Sequence, residues 1–169
     1  MKNISGHFVT LLLIFTISIS CTSIDLKIDD IDTNTKDPTP KDTATAKIVS
    51  VTYSSNAEKF KFSVGISSPD TGCDQYANWW EILSEDGKLL YRRILGHSHV
   101  NEQPFIRTGA NVMILPNEII IIRAHMHPTG YATQVFKGSI NDDFVSFETE
   151  DKFANDVESQ TPLPTGCAF

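Results

Sequence analysis

The sequence predicts an antiparallel β-sandwich, on three observations. Short stretches rich in Val, Ile, Phe and Tyr alternate apolar with polar side chains, the period-two signature of strands with one buried face. About seven such stretches follow one another between residues 46 and 169 with turn signals between them, a spacing typical of two packed sheets. Helical periodicity is almost lacking, since only EDKFANDVES, residues 150–159, suits a turn of helix.

Taken in order, KIVSVTYSS (47–55) and KFKFSVGIS (59–67) show the cleanest alternation. NWWEILSEDGKLLYRRIL (78–95) sets Asp86-Gly87 between two apolar runs, a strong hairpin signal. With those two residues as the turn, Glu85 faces Lys88, Ile82 faces Tyr91, Trp80 faces Arg93 and Tyr76 faces His97. Glu81 then faces Arg92 on the other side, beside Trp79 and Ile94. One tryptophan is expected in the core and the other towards solvent or a cleft. EIIIIRAHMH (118–127) is a nearly continuous, β-branched run and reads as a central strand. TQVFKGSI (133–140) and DFVSFET (143–149) complete the set. An immunoglobulin-like arrangement is expected, with a small, cupin-like β-barrel as the alternative.

Ahead of this domain the chain begins MKNISGHFVTLLLIFTISISC. One lysine and an uncharged run from Phe8 to Ile19, too short to span a bilayer, have the shape of a secretory signal. Ser18-Ile19-Ser20-Cys21 resembles the lipobox of bacterial lipoproteins, although Ser18 stands where an aliphatic residue is usual. The resemblance implies cleavage before Cys21 and lipidation of that cysteine, hence an anchor on the membrane surface. An uncleaved anchor is the other reading, and it too puts the domain outside the cytoplasm. Residues 1–20 are thus the signal peptide, Cys21 to residue 45 a lipidated tether, and 46–169 the β-sandwich domain. The tether is rich in Asp, Thr, Lys and Pro and has no aromatic residue, so it cannot bury enough surface to order itself. The formal charge of −7, one unit more negative without Lys2, argues against nucleic acid and against charge-driven binding to anionic lipid. The expected setting is the bacterial cell envelope, periplasm-facing or surface-exposed, with the membrane as a partner through the lipid.

Two cysteines remain, Cys73 and Cys167. In an oxidising compartment they are expected to form a disulfide, closing a long loop and pinning the C-terminus to the domain. Thiolate ligation of a metal is the alternative.

The chemistry concentrates in GHSHVNEQPF (96–105) and RAHMH (123–127). Residues i and i+2 of an extended chain project to one face, so His97 pairs with His99 and His125 with His127. Were the two segments adjacent, the four imidazoles would meet around one ion, with Glu102 as a further ligand. Imidazole suits transition metals, and Cu or Zn is the expected cofactor, with Met113 or Met126 available as a thioether for copper(I). The spacing His97-x-His99, two residues, Glu102, six residues, Gly109 is similar to the first metal motif of cupins, in which two histidines and a glutamate hold the ion. Here the gap to the glutamate is shorter than usual and no second motif follows. Arginines accompany both clusters, at Arg92, Arg93 and Arg123, and a cation beside the histidines favours an anionic ligand. A saccharide, anion or protein surface built from Trp79, Trp80, Arg93 and Arg123 is therefore the rival reading, and purely structural histidines are the third. No G-x-S-x-G elbow, phosphate loop or H-E-x-x-H is present, so binding is expected rather than catalysis.

Overall fold

A computed structural model describes residues 44–56 and 59–168. The signal peptide, Cys21 and nearly all of the tether lie outside the described residues. Among the described residues, nine strands form two antiparallel sheets: β1 (Lys47–Asn56), β2 (Lys59–Ser67), β3 (Tyr76–Ser84), β4 (Leu89–Ile94), β5 (Phe105–Met113), β6 (Ile120–His127), β7 (Gly130–Tyr131), β8 (Gln134–Gly138) and β9 (Val145–Glu148). One sheet has the order β1-β2-β5 and the other β4-β3-β6-β8-β9, with β7 paired to β6. First, second and fifth strands against third, fourth, sixth and eighth is the strand distribution of an immunoglobulin-like sandwich. The sheets do not close, so the barrel alternative falls.

The core between the sheets is formed by alternate residues of each strand. Phe60, Phe62, Val64 and Ile66 of β2 meet Trp80 and Ile82 of β3 and Ile120, Ile122, Ala124 and Met126 of β6. Trp80 is the largest fully buried side chain and fills the centre. Strand β5 escaped the sequence reading, and Gly109 is the reason. Its α-carbon lies against the Trp80 ring, where an added Cβ would sit 2.7 Å from Cη2, so the inward position carries no apolar side chain to complete an alternating pattern. The hairpin keeps the expected register at Ile82–Tyr91, Glu81–Arg92 and Trp80–Arg93. Its tip differs. Gly87 donates its N–H to Ser84 O and takes φ +84°, so Glu85, Asp86 and Gly87 form a three-residue loop with a bulge. The last bond of this pairing runs from Leu95 N to Asn78 O at 2.9 Å, and Tyr76 faces His127 rather than His97.

Strand β6 lacks alternation because both its faces are buried. On the outer face, the C-terminal segment crosses the sheet, and its Val157 packs with Leu83, Ile121 and Val135. Glu81 and Arg92 of the hairpin and Arg123 of β6 fasten it. Glu81 accepts from Arg92 Nε at 2.7 Å and Arg123 Nε at 2.8 Å, and all three side chains are buried. The remaining guanidinium donors go to the strap: Arg92 to the carbonyls of Val157, Gln160 and Pro162, Arg123 to those of Phe153 and Ala154. Each charge is thus paired and its hydrogen-bonding capacity used, which is what burial of ions demands. The chain then runs to Cys167, which is disulfide-bonded to Cys73 with their α-carbons 5.6 Å apart.

Candidate metal centre at His97, His99 and Glu102

The loop from β4 to β5 carries the first histidine pair. Its start is tied to the C-terminus, where His97 bridges in parallel to Ala168 and Ala168 donates to Gly96 O at 2.7 Å. The chain is extended through Ser98, so His97 and His99 project together, with ring centroids 4.4 Å apart. It then turns, and Glu102 N donates to His99 O at 3.1 Å. That turn returns the Glu102 carboxylate to the imidazoles across a gap of only two residues. One ligand atom each from His97, His99 and Glu102 lies within 4.8 Å of the others, and among the described residues this is the one group of three or more such donors. A pocket of about 450 Å³ opens beside them, lined by Ser98, Val100, Asn101 and Ala168 as well.

The two histidines of this loop differ. His97 is exposed, whereas His99 is only 2 % exposed and stacks on Phe105 at 3.7 Å and 12°. Neither ring nitrogen of His99 has a hydrogen-bond partner. The other unpartnered buried atoms among the described residues are the indole nitrogens of Trp79 and Trp80 and the Tyr131 hydroxyl, one per side chain, so His99 is set apart by having both of its polar atoms without a partner. Burial, aided by the Arg107 cation, pushes the His99 pKa down to about 4, so the imidazole is neutral at neutral pH and keeps a lone pair to donate. Arg107 on β5 donates to Glu102 Oε2 at 2.7 Å and holds that carboxyl below its usual range.

Beneath His99 lies Asp70, a carboxylate the sequence reading passed over. Its Oδ1 accepts from Ser68 Oγ at 2.6 Å and Ala77 N at 3.0 Å, and its Oδ2 accepts from His99 N at 2.8 Å. Gln103 completes the lacing by accepting from Ser68 N and donating to His99 O. Asp70 lies far from both histidine motifs in sequence, so no spacing signals it.

The second pair sits elsewhere and is employed otherwise. His125 is buried on the strap-covered face of β6, stacked on Trp79 at 3.8 Å and 8°. Its Nδ1 meets Asn78 Oδ1 at 2.6 Å and its Nε2 meets Glu158 Oε1 at 3.2 Å. Burial, with the Arg92 and Arg123 cations adding to it, pushes its pKa down to about 3. His127 is exposed at the strand end, beside Tyr76. The expected meeting of four imidazoles is therefore corrected: strand β6 pairs with β3 and β8, not with the loop that bears His97 and His99. The arginines noted beside the histidines are partly accounted for, while Arg107 stands at the first cluster on Glu102. The anion that Arg92 and Arg123 attract is Glu81 of the same sheet.

The rival surface is dispersed by the same packing. Trp80 is in the core, and Trp79 and Arg123 are buried under the strap, with Arg92 stacked over Trp79 at 4.5 Å. Arg93 alone of that set is exposed. Neither tryptophan projects from the surface, because both faces of this sheet are covered. Met126 lies in the core, and Met113 lies at the far end of β5 from Phe105, roughly 25 Å away at strand rise.

Comparison with known proteins finds one match of limited reach. A protein of Halomicrobium mukohataei named "Putative lipoprotein" is 33 % identical over 90 residues, covering 53 % of this chain and 44 % of that relative. The chain therefore spans less than half of the relative's length. No family model and no solved structure matches the chain.

Proposed function

We propose that this protein is a lipid-anchored protein of the cell envelope whose β-sandwich binds a divalent transition metal through His97, His99 and Glu102. The envelope half of the reading is supported by the signal-like N-terminus ending at Cys21, by the disulfide and by the name of the Halomicrobium relative. No helix among the described residues is long and apolar enough to cross a membrane.

The metal half rests on one observation, the buried His99 ring with two unpartnered nitrogens inside a three-donor cluster. Ligands on a tetrahedral ion at about 2.0–2.2 Å stand roughly 3.3 Å apart, so donors within 4.8 Å of one another must draw in by up to about 1.5 Å. His97 and Glu102 are exposed and can make that movement, while His99 stays in place against Phe105. Two imidazoles and a carboxylate, with no thioether near, favour zinc(II) or copper(II) over copper(I). Three protein donors leave the ion at least one position open to water or a small ligand from the pocket side.

Titration of the metal-free protein with zinc and with copper(II) tests the reading. One equivalent of zinc or copper should bind the wild type. The double variant His97→Ala/Glu102→Ala changes only exposed side chains and should lose that equivalent, while His127→Ala should keep it. Equal stoichiometry in all three proteins, or none in the wild type, would overturn the assignment.

A further inference from the structure

Resting on that metal reading, we propose that Asp70 is the positioning residue of the centre: it anchors His99 through the backbone and accepts a hydrogen bond from His99 Nδ1–H, so that Nε2 faces the ion. The carboxylate is fixed independently of the histidines, since its Oδ1 is held by Ser68 Oγ and Ala77 N at the head of β3. Its Oδ2 already receives the His99 backbone N–H at 2.8 Å and lies 3.8 Å from His99 Nδ1, with both side chains within 1 % of complete burial. A neutral imidazole carries one N–H and one lone pair, and a buried N–H without an acceptor is costly. Oδ2 lies less than 1 Å beyond hydrogen-bond reach of Nδ1, so a small rotation of the ring within its Phe105 stack joins them. The tautomer is then set as Nδ1–H, and the lone pair falls on Nε2.

That arrangement has two consequences. The ring is oriented before any ion arrives, and the carboxylate raises the basicity of the ligating nitrogen. The same residue joins the loop of His99 to the first residues of β3, which pairs with β6 at the heart of the larger sheet. The centre is thereby referenced to a buried inner strand of the larger sheet as well as to its own loop.

Two measurements test this. Nitrogen-15 imidazole correlations on the metal-free wild type report the His99 tautomer without any variant, and Nδ1–H is expected. Zinc titration then compares the wild type with Asp70→Asn, expected to bind 10- to 100-fold more weakly, and with Asp70→Ala, expected to bind at least as weakly. The isosteric amide keeps an oxygen for the backbone N–H groups, so a purely structural role for Asp70 would leave Asp70→Asn near wild-type affinity. An Nε2–H tautomer in the wild type, or equal zinc affinity in wild type and Asp70→Asn, overturns the role of Asp70 alone. A wild type that binds no zinc overturns the metal reading itself, and the wild-type titration shows this before any variant is made.

Discussion

His97-x-His99 and His125-x-His127 have the same local pattern and opposite employment. In the strand pair, the buried imidazole has acceptors in place for its N–H: Asn78 Oδ1 stands at Nδ1, Glu158 Oε1 stands at Nε2, and Trp79 covers its face. In the loop pair, the buried imidazole is packed just as closely against Phe105, yet both nitrogens are left without partners. Burial and stacking are common to both, so they cannot be what distinguishes a structural histidine from a candidate ligand. The distinction is whether the polar atoms have been satisfied by the protein itself.

The largest test of this contrast strikes the strap that seals His125. Glu81→Leu leaves Arg92 and Arg123 buried without their counter-charge and should destabilise the fold by about 3–5 kcal/mol, read by denaturant unfolding. Zinc stoichiometry should stay unchanged in whatever fraction remains folded, because no residue of the triad belongs to the loop centre. A loss of zinc with retained fold would show the two regions to be coupled.

The disulfide reaches both regions, since the tail runs from the strap to its bridge with His97. The bridged cysteines are 94 positions apart, and Cys73→Ser/Cys167→Ser should cost about 3–4 kcal/mol of stability, measured in the same way. It should also weaken zinc binding, as Ala168 no longer braces Gly96 and His97. Unchanged affinity would mean that the loop holds its shape without the tail.

The smallest effect comes from His125 itself. Replacing it with Ala removes the Trp79 stack and leaves Asn78 Oδ1 buried without its partner, at about 2 kcal/mol, with zinc binding intact. The same residue sets an acid limb. Its folded pKa of about 3 lies below the usual 6.5, so the unfolded chain binds the proton more readily. The stability it contributes is complete above pH 6.5 and declines as pH falls from there towards 3, by about 2 kcal/mol at pH 5. Thermal melts of wild type and His125→Ala between pH 7 and pH 5 should converge as the pH drops, and parallel curves would contradict the assignment.

Much of the fold was legible in the chain. The alternation in β1, β2, β8 and β9 and the Asp86-Gly87 hairpin needed only side-chain period and turn chemistry, which act over a few residues. The hairpin register even placed Glu81 opposite Arg92. Strand β5 was not legible, because its inward position at Gly109 is shaped by Trp80, a residue distant in sequence. The burial of both faces of β6 was equally out of reach, since it depends on a strap some thirty residues later.

For the candidate centre the division runs through the middle of the motif. The sequence alone determined that His97 and His99 project together and that Glu102 follows closely, since an extended dipeptide and a turn are local matters. Only the tertiary structure decided that His125 and His127 stand apart, that Glu81 claims Arg123 as well as Arg92, and that Asp70 lies under His99. Each of those facts joins residues tens of positions apart, and strand pairing, unlike a turn, leaves no trace in the residues nearby.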